Sequence, residues 1–417
     1  MRAPNAKTSL NEPQIRRGAI RVTPEVASHL RAGHPYLFRD ALGGKAPHHN
    51  SGDTVEVVDS SGEFVGRGIY DGEGVVAVRL YTCDPNELID AAEIRRRVES
   101  AARLRDRFRP QGEGNAYRLI HGEGDGLPGV TVDRYGDYLV AHLFSASLEP
   151  LRDWLYDALA DLNHPKGIYE QRRYRSLGAT GGSESTRGPA TLERGEAAPI
   201  EFEVSENGLR FVVDVTAPLG TGLFADLREG RKLVSEVAGG RRLLNLFSYT
   251  AAFSVYAATA GALETVSVDL APRAQLRARR NFELNGLIAE GGAHEFLVGD
   301  ALKFLYRFAD RKRQFDLVVI DPPSFSQMRG KVFSAAKDYR ELVTAAFGVC
   351  APGALVACAS NMLKLSADDL DRAIGEAAYA AAKRVRIVER RGLPADFPVA
   401  PGYVEGHYLK FFLCAVE

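Results

Sequence analysis

The stretch from Arg241 to Phe325 constrains the fold of this 417-residue chain more than any other part of its sequence. Apolar, β-branched runs alternate in it with longer segments of helical periodicity, which is typical of a parallel sheet with helices on its faces. The last run, FDLVVI, leads into Asp321 and two prolines, and proline stops a strand because it has no backbone N–H. Ligands of such open sheets bind beyond the carboxyl ends of the strands, so we expect the active site at Asp321.

The same alternation continues to the last residues and predicts a seven-stranded sheet. The predicted strands are 243–247, 264–269, 295–298, 315–320, 353–359, 385–389 and 407–416, and the predicted helices between them are 251–260, 272–285, 301–309, 334–351 and 366–381. Five strand–helix units followed by two closing strands indicate a doubly wound, Rossmann-like α/β domain. No GxGxxG follows the first strand, which disfavours a dinucleotide ligand.

Composition divides the chain into four parts. We predict a disordered polar tail at 1–18, a β-rich domain at 19–85, a central α/β domain at 86–199 and the Rossmann-like domain at 200–417. In the β-rich part, short alternating strands separated by Gly and Asp turns favour a small antiparallel barrel or roll.

The central part has a more mixed pattern. Helical periodicity over 87–109 gives an apolar stripe that ends at Phe108, and a hairpin, a second helix and a strand are predicted after it. Residues 177–199 are rich in Gly, Ser, Thr, Glu and Ala without apolar rhythm, which predicts a mobile loop. The dipeptide Asn207-Gly208 between two apolar runs predicts a hairpin.

Composition also excludes several classes of protein. No apolar run approaches the roughly 20 residues of a membrane span, and the first residues lack a secretory signal, so we expect a soluble, cytoplasmic protein. The 4 cysteines are far apart and form no CxxC pair, which argues against a metal site and against disulfides. A formal net charge of -1 gives no whole-chain sign of a nucleic-acid partner.

Local charge is more informative than net charge. Arginine is frequent on the predicted helix of the central part and at the exit of the strand KGIYEQRRYR. Such a face either is merely solvated or contacts phosphates. The residues that we take as candidate RNA contacts are Arg95, Arg103, Arg107, Arg172 and Arg173.

Two acids that end strands suggest a nucleoside ligand. Asp269 ends the second strand, where Rossmann-like folds place an acid that accepts hydrogen bonds from a ribose; the alternative is a helix N-cap before Ala271. Asp300 ends the third strand in the same way, where the acid or its backbone could contact an adenine edge. A ribose and adenine site without a diphosphate loop points to S-adenosylmethionine (SAM).

The chain resembles a known family over residues 19 to 417. The family comprises class I SAM-dependent methyltransferases of large-subunit (23S) ribosomal RNA that combine a PUA domain with a Rossmann-like domain, the large-subunit methyltransferase I type. The motifs that carry the resemblance, in order, are HPYLF, YRLIHGEGDGLPGVTVDRYG, TGLFADLREGR, LLNLFSYT, VSVDLAPRA with NFELNG, FDLVVIDPPSF and GHYLKFF.

The resemblance implies roles for particular parts and residues. It implies a PUA-like RNA-binding domain, a central α/β domain, SAM as the cofactor, and ribosomal RNA or a large-subunit precursor as the partner. By the same resemblance, cofactor contacts fall at Phe247, Ser248, Tyr249, Ala251, Asp269, Leu270, Asp300 and Asp321. Asp321 and Pro322 match the motif that holds the target base beside the methyl group.

Three departures from the family pattern bear on these roles. YTAA replaces the usual YTGG, and we expect the methyl groups of Ala251 and Ala252 to be tolerated if φ stays negative. Leu227 stands where many relatives have glutamine. The third departure is at Ser360, where relatives that methylate cytosine carbon 5 have a cysteine.

The missing cysteine leaves the acceptor atom open. Cytosine carbon 5 needs a thiolate that adds at carbon 6, and Cys358, two residues before Ser360 on the same strand face, is either that nucleophile or a core residue. Guanine nitrogen 7 needs only positioning, and the Ser360-Asn361 pair resembles relatives that methylate it. We favour the guanine slightly. A non-catalytic, RNA-binding ribosome-assembly factor is the alternative from another class, and a homodimer is possible through an exposed β edge.

Overall fold

The computed structural model describes most of the chain. The described residues are 18–42, 49–109, 112, 114–174, 188–218, 220–287, 292–323, 327–328, 331–332 and 335–417. Residues 1–17 of the predicted tail, residues 177–187 of the predicted loop, and the Ser324-Phe325 pair lie outside them.

The first sheet is antiparallel apart from one strand pair. Its strands follow the order β1-β3-β4-β5-β2, and β1 alone pairs in parallel, with β3. The elements are β1 (Ile20–Arg21), α1 (Pro24–Arg31), β2 (Tyr36–Phe38), β3 (Thr54–Val58), β4 (Phe64–Tyr70) and β5 (Val76–Thr82). Buried valines and leucines of both faces enclose one small core with α1, so the β-rich character predicted for this part is confirmed.

A second five-stranded sheet follows, with two helices packed on it. The strand order is β10-β9-β8-β7-β6, and only β8 and β9 pair in parallel. The elements are α2 (Ala91–Phe108), β6 (Ala116–His121), β7 (Val130–Tyr135), β8 (Tyr138–Leu143), α3 (Arg152–Asn163), β9 (Gly167–Arg172) and β10 (Thr191–Gly195). The prediction of a loop throughout 177–199 is therefore wrong for β10, because the backbone there pairs with the edge of β9 although its side chains lack apolar rhythm.

The buried face of α2 differs from the predicted stripe. Ile94 and Val98 are buried as expected at helical spacing, but the buried face then continues through Ala101 and Arg105 and not to Phe108. Phe108 is 51% exposed, and the guanidinium of Arg107 lies 5.2 Å from its ring centre. The prediction placed the Phe108 ring in the core, but the ring lies at the surface with the Arg107 side chain over it.

A hairpin connects the central sheet to the last one. Strands β11 (Phe202–Glu206) and β12 (Leu209–Val213) pair antiparallel, and Asn207 and Gly208 between them have φ of 50° and 79°. Two consecutive positive φ values are what a two-residue hairpin turn requires, so the predicted hairpin is confirmed. A 3-10 turn and helix α4 (Arg228–Ala238) follow.

The last sheet has seven strands in the order β15-β14-β13-β16-β19-β21-β20. Strand β21 runs antiparallel to both neighbours, and the other pairs are parallel. The elements are β13 (Arg242–Leu246), α5 (Ala252–Thr259), β14 (Glu264–Asp269), α6 (Pro272–Leu284), β15 (His294–Val298), α7 (Ala301–Asp310), β16 (Phe315–Ile320), the short β17 (Gln327–Met328) and β18 (Lys331–Val332), α8 (Ala335–Phe347), β19 (Cys350–Ser360), α9 (Ala367–Ala380), β20 (Val385–Arg391) and β21 (Lys410–Val416).

Helices cover both faces of this sheet, as a doubly wound fold requires. Residues of α7, α8 and α9 pack on one face, and residues of α4 and α5 pack on the other. Strands β14 and β15 lie on one side of β13, and β16 and the later strands lie on its other side. The direction in which strands are added to the sheet therefore reverses between β13 and β16. The predicted Rossmann-like architecture is confirmed, and this reversal is where such folds bind ligands.

Buried ion pairs join the central and last sheets. The carboxylate of Asp396, in the connection before β21, accepts hydrogen bonds from the guanidinium of Arg228 and from the backbone N–H of Arg118. Arg105 donates to the carbonyl of Asp396 at 2.8 Å and to Asp125 at 2.5 Å. All these charged side chains except Arg118 are almost completely buried, so each has its partner inside the protein.

Candidate functional site

A cavity of about 420 Å³ lies beyond the carboxyl ends of β13, β14 and β16, at the strand reversal. It falls within the range that small-molecule sites occupy, about 300–1,000 Å³. The segments that line it are 220–231, the turn after β13, the ends of β14 and β16, the start of α7, Asn361 and Leu409. Six of the eight residues carried over as cofactor contacts line it. Five of them belong to the turn after β13 and to the end of β14, and the sixth, Asp321, follows β16.

The turn after β13 has an unusual backbone. Phe247, Tyr249 and Ala251 have φ of 58°, 48° and 59°, a region that costs a residue with a Cβ about 1–2 kcal/mol. The condition that φ stays negative is therefore not met at Ala251, whereas Ala252 lies in the first turn of α5. The methyl group of Ala251 is fully buried in an apolar cluster, and the backbone N–H of Ala251 donates to the Ser248 carbonyl at 2.7 Å.

Asp269 holds this turn in place. One carboxylate oxygen accepts the N–H of Tyr249 at 2.8 Å, and the other accepts the N–H of Ala271 at 2.8 Å. The N-cap of α6 is Ala271 and not Asp269, so the N-cap interpretation of this acid is wrong. Asp269 lines the cavity with Leu270, which is 50% exposed, and both are therefore placed to meet a ligand.

Ser248 and Asp300 have structural contacts of their own. The hydroxyl of Ser248 accepts a hydrogen bond from the Gln275 amide at 2.9 Å and lines the cavity. Asp300 caps α7 through the N–H of Lys303 at 2.9 Å. Its neighbours Gly299 and Ala301 line the cavity, so at this position the backbone and not the acid is at the site.

Asp321 and Asp226 form the acidic part of the cavity on the β16 side. Burial and the nearby charge of Asp226 raise the pKa of Asp321 to about 7, and the guanidinium of Arg231 opposes that shift. Burial likewise raises the pKa of Asp226, although its carboxylate accepts a hydrogen bond from the Tyr408 hydroxyl at 2.9 Å. Pro322 is buried directly after Asp321. A carboxyl group that titrates near neutral pH inside a cleft is typical of a functional site.

The segment 220–227 closes the cavity opposite the sheet. The hydroxyls of Tyr249 and Thr250 donate to the carbonyls of Gly220 and Gly222 at 2.8 Å and 2.6 Å. Gly222 has φ of 124°, and a Cβ there would lie 2.6 Å from the Val212 carbonyl oxygen, so only glycine fits. Leu227, which replaces the glutamine of relatives, is 8% exposed and lines the cavity among apolar neighbours.

The cavity residues that sequence reasoning missed are on this segment and near β21. They are Phe224, Asp226, Arg231 and Leu409. Two of the motifs that carry the resemblance, TGLFADLREGR and GHYLKFF, contain all four, so the signal was present without a role attached to it.

The structure does not bring Cys358 and Ser360 to the cavity. The Cys358 side chain is fully buried in the apolar core between the sheet and α8, where contact with Cys414 and burial raise its pKa well above that of a free thiol. A thiol held in that state is a poor nucleophile, so the interpretation of Cys358 as a core residue is favoured over a catalytic one. Ser360 is also fully buried, and its hydroxyl accepts the N–H of Met362 at 3.3 Å. Asn361 lines the cavity in its place.

The candidate RNA-binding arginines are at the surface but mostly paired. Arg95 bonds to Asp161 at 2.8 Å, Arg103 to Glu99 at 2.7 Å and Arg172 to Glu170 at 2.7 Å. Arg107 is exposed beside Phe108, and Arg173 is partly exposed. Because three of the five already neutralise an acid, the positive charge of this face is smaller than the arginine count suggests.

The described part of the chain contains neither a metal-binding cluster nor a membrane-spanning helix. In that part of the chain, no three His, Cys, Asp or Glu side chains are grouped closely enough to hold a metal ion. None of the helices described there is long and apolar enough to cross a membrane.

Comparison with known proteins defines the class to which this site belongs. A family model described as an S-adenosylmethionine-dependent methyltransferase matches residues 167–409, and a PUA-like domain model matches residues 20–83. The first match covers more than half of the chain and all of the cavity residues. The protein is therefore a SAM-dependent methyltransferase with an N-terminal PUA-like domain.

Individual relatives identify the family within this class of methyltransferases. The chain is 35% identical over 383 residues to an Escherichia coli protein named ribosomal RNA large subunit methyltransferase I, covering 92% of this chain and 95% of that one. A Photobacterium profundum protein of the same name is 34% identical over 392 residues, covering 93% and 96%. The chain belongs to the ribosomal RNA large subunit methyltransferase I family.

Solved structures agree with this assignment. A methyltransferase structure with bound SAH superimposes with a TM-score of 0.86 at 26% identity, covering 95% of this chain and 99% of the other. A SAM-dependent methyltransferase from Streptococcus mutans gives a TM-score of 0.84 at 26% identity, with the same coverage.

The cavity fits SAM, the cofactor of this family. It is large enough for a nucleoside with an amino-acid tail, and Asp269 places a carboxylate at the end of β14, where a ribose diol needs an acceptor. The backbone of Gly299 and Ala301 lines the adjoining wall. When bound, SAM supplies an electrophilic methyl group to an acceptor.

Proposed function

We propose that this protein transfers a methyl group from SAM to a base of 23S ribosomal RNA. The observation that carries the proposal is a single cavity lined by the ribose-side acid Asp269 and by Asp321 with Pro322, in a chain that covers the full length of relatives named for that reaction. The PUA-like domain supports an RNA substrate, which the resemblance of this module to RNA-binding domains suggests.

We assign the cofactor to the β13–β15 side of the cavity. Phe247, Ser248, Tyr249 and Ala251 form the turn beneath the amino-acid part of SAM, and the positive φ values there let the backbone approach the cofactor closely. Asp269 accepts hydrogen bonds from the ribose. Gly299 and the backbone beside Asp300 border the adenine, while the Asp300 side chain keeps its capping role.

We assign the acceptor base to the β16–β21 side. Asp321 and Pro322 directly follow β16 there, and Asn361 follows β19. The side chains of Asp321 and Asn361 present polar groups to a planar base next to the methyl group. The raised pKa of Asp321 allows it to donate a hydrogen bond at neutral pH in its protonated form and to accept one in its ionised form.

The acceptor atom that these residues support best is guanine nitrogen 7. It has an in-plane lone pair and needs positioning rather than covalent activation. Cytosine carbon 5 needs a thiolate, and none of the described residues that line the cavity is a cysteine. Cytosine carbon 5 stays the alternative if Cys358 can reach the cavity by a change of the β19 register.

The identity of the methylated base can be measured directly. Isotope-labelled SAM is incubated with large-subunit RNA from cells that lack this protein, and the nucleosides are separated by mass spectrometry. Labelled 7-methylguanosine is the expected product. Labelled 5-methylcytidine would overturn the assignment of the acceptor atom but not the methyltransferase.

The rest of the proposal concerns the RNA and the cell. We propose that substrate RNA crosses the first two domains, with boundaries near 19–85 and 86–199, and that Arg95, Arg103, Arg107, Arg172 and Arg173 supply phosphate contacts. Naked RNA and an assembled subunit precursor are both compatible with such a surface.

We further propose a cytoplasmic enzyme that can form a homodimer. The non-catalytic assembly factor is disfavoured because the three cavity carboxylates are all present.

A further inference from the structure

We propose that Asp226 is a further substrate-contacting residue, which accepts a hydrogen bond from an amino group of the acceptor base, and that Tyr408 positions it. This inference rests on the proposed function, because it names a specificity determinant of the same site. Asp226 belongs to none of the residue sets assigned above to the cofactor or to the base.

The position of Asp226 assigns it to the acceptor side of the cavity. It lies on the 3-10 turn before α4, and its hydrogen-bond partner Tyr408 comes directly before Leu409, which also lines the cavity. Asp226 and Asp321 line the same cavity, and the charge of Asp226 contributes to the raised pKa of Asp321. Asp269, at the end of β14, lies two strands away from β16 in the sheet.

Asp226 has acceptor capacity that the described residues do not use. Both oxygens of Asp269 already accept backbone N–H groups. In Asp226, Oδ2 accepts the Tyr408 hydroxyl, and Oδ1 has no hydrogen-bond partner among the described residues. The side chain is half-buried rather than enclosed, so the free oxygen is accessible from the cavity.

Asp226 is not needed as the ion-pair partner of a nearby arginine, because another acid serves as that partner. Arg231, whose charge acts on both carboxylates, makes two hydrogen bonds of 2.7 Å to Glu206, one to each oxygen. The charge of Arg231 is therefore compensated without Asp226. An acid that the fold does not need for charge balance and that borders the ligand cavity is best explained by contact with substrate.

The chemistry of the group restricts what it can recognise. An ionised carboxylate only accepts hydrogen bonds, so it selects a base edge that carries N–H groups. Guanine has the 2-amino group and cytosine the 4-amino group, whereas uracil and hypoxanthine have none. Asp226 would thus discriminate against uridine and inosine whichever acceptor atom is methylated.

A double change in enzyme and RNA tests this pairing. Wild-type enzyme and Asp226→Asn are compared on the RNA that the wild type labels and on the same RNA whose target base lacks its amino group, inosine for guanosine or zebularine for cytidine. We expect either single change to slow transfer by about 10–100-fold, the effect of losing one charge-assisted hydrogen bond. The two changes together should cost little more than either alone, because both remove the same bond. Asp310→Asn, an exposed carboxylate-to-amide change at the end of α7, is the matched control and should leave transfer unchanged.

Calorimetric titration of SAM separates this role from a cofactor contact. Asp226→Asn should bind SAM within about two-fold of the wild type, and Tyr408→Phe should lower kcat while leaving the affinity for SAM and the KM for RNA nearly unchanged. Loss of SAM binding in Asp226→Asn, unchanged transfer by that variant, or multiplicative effects of the two changes would each overturn the inference alone. Absence of transfer by the wild type would overturn the inference and the proposed function together.

Discussion

At the scale of single residues, the three cavity aspartates differ because their neighbours differ. Asp269 accepts two backbone N–H groups and shapes the turn after β13. Asp321 is desolvated beside another acid, and these two causes raise its pKa to about 7. Asp226 is held by one hydroxyl. The same side chain therefore serves as an anchor, as a titrating group and as a substrate contact within one cavity.

The raised pKa of Asp321 predicts a pH-dependent stability difference. The carboxyl group of an unfolded aspartate has a pKa of about 3.8, so between about pH 4 and pH 7 the folded protein retains a proton that the unfolded chain has lost. This contribution stabilises the fold below pH 4 and disappears as the pH rises to 7. Relative to the wild type, Asp321→Asn should gain stability as the pH rises from 5 to 8, measured as urea midpoints. A difference that is constant over this range would show that Asp321 titrates normally.

Replacement of Cys358 tests its location in the core. Cys358→Ala should lower the free energy of unfolding by about 1–2 kcal/mol, as small truncations in a core do. Methyl transfer should stay at half of the wild-type rate or more, since the thiol does not line the cavity. Transfer assays on folded protein, checked by urea unfolding, measure both effects. Complete loss of transfer with intact SAM binding would instead make Cys358 the nucleophile.

At the scale of elements, α2 separates its arginines into two kinds. Arg105 is buried and bonds to Asp125, to the Arg118 carbonyl and to the Asp396 carbonyl, whereas Arg103 is exposed and pairs with Glu99 one turn away. The helix therefore connects two sheets with one face and presents charge to solvent with the other.

These two arginines give a matched prediction for stability. Arg105→Ala should cost about 3–5 kcal/mol, because it leaves the Asp125 carboxylate buried without its partner. Arg103→Ala should cost less than about 1 kcal/mol, the usual worth of an exposed pair. Urea unfolding of both variants measures the contrast. Equal effects would show that Arg105 does not hold the sheets together.

The sequence predicted the regular elements better than the contacts between them. The seven strands and the Asn207-Gly208 hairpin follow from local apolar periodicity and turn chemistry, and they formed as predicted. The strand β10 depends on pairing with β9, which the local pattern of its side chains does not encode. Phe108 is exposed because the buried face of α2 runs through Arg105, whose partner Asp396 lies far away in the chain. The positive φ of Ala251 belongs to a turn that Asp269 holds through the N–H of Tyr249, and alanine itself gives no sign of it.

The residues of the site were likewise predictable where they depend on local features and not where they depend on long-range contacts. Strand ends identified Asp269 and Asp321, because the rule that places ligands there depends only on topology. Asp226 and Asn361 reach the cavity from segments far away in the chain, so only the fold brings them together. Cys358 was ambiguous since strand alternation fixes its face but not which helix covers it.

At the scale of the whole molecule, surface charge is the feature that bears on RNA binding. The formal net charge is -1, and acids pair with three of the five candidate arginines. A surface that binds RNA must therefore have a local excess of positive charge. The RNA phosphates must also compete with these acids for the arginines.

Charge reversal tests whether this surface contacts RNA. Arg95→Glu, Arg103→Glu and Arg107→Glu together should weaken RNA binding by about 10-fold or more at physiological salt and should flatten the dependence of log affinity on log salt. Reversal of Arg372 and Arg386, exposed on α9 and β20, is the control and should change neither. Unchanged affinity and slope in the triple variant would place the RNA elsewhere.

The central claim is that the cavity at the strand reversal binds SAM for methyl transfer to RNA. The measurement that tests it most directly is transfer of labelled methyl from SAM to 23S ribosomal RNA by the wild type and by Asp269→Ala, at a SAM concentration below saturation. We predict label on RNA with the wild type and at least about 10-fold less with Asp269→Ala, because a charged acceptor for ribose and for the turn is lost. No label on RNA with folded wild-type protein, or equal label with both proteins, would contradict the claim.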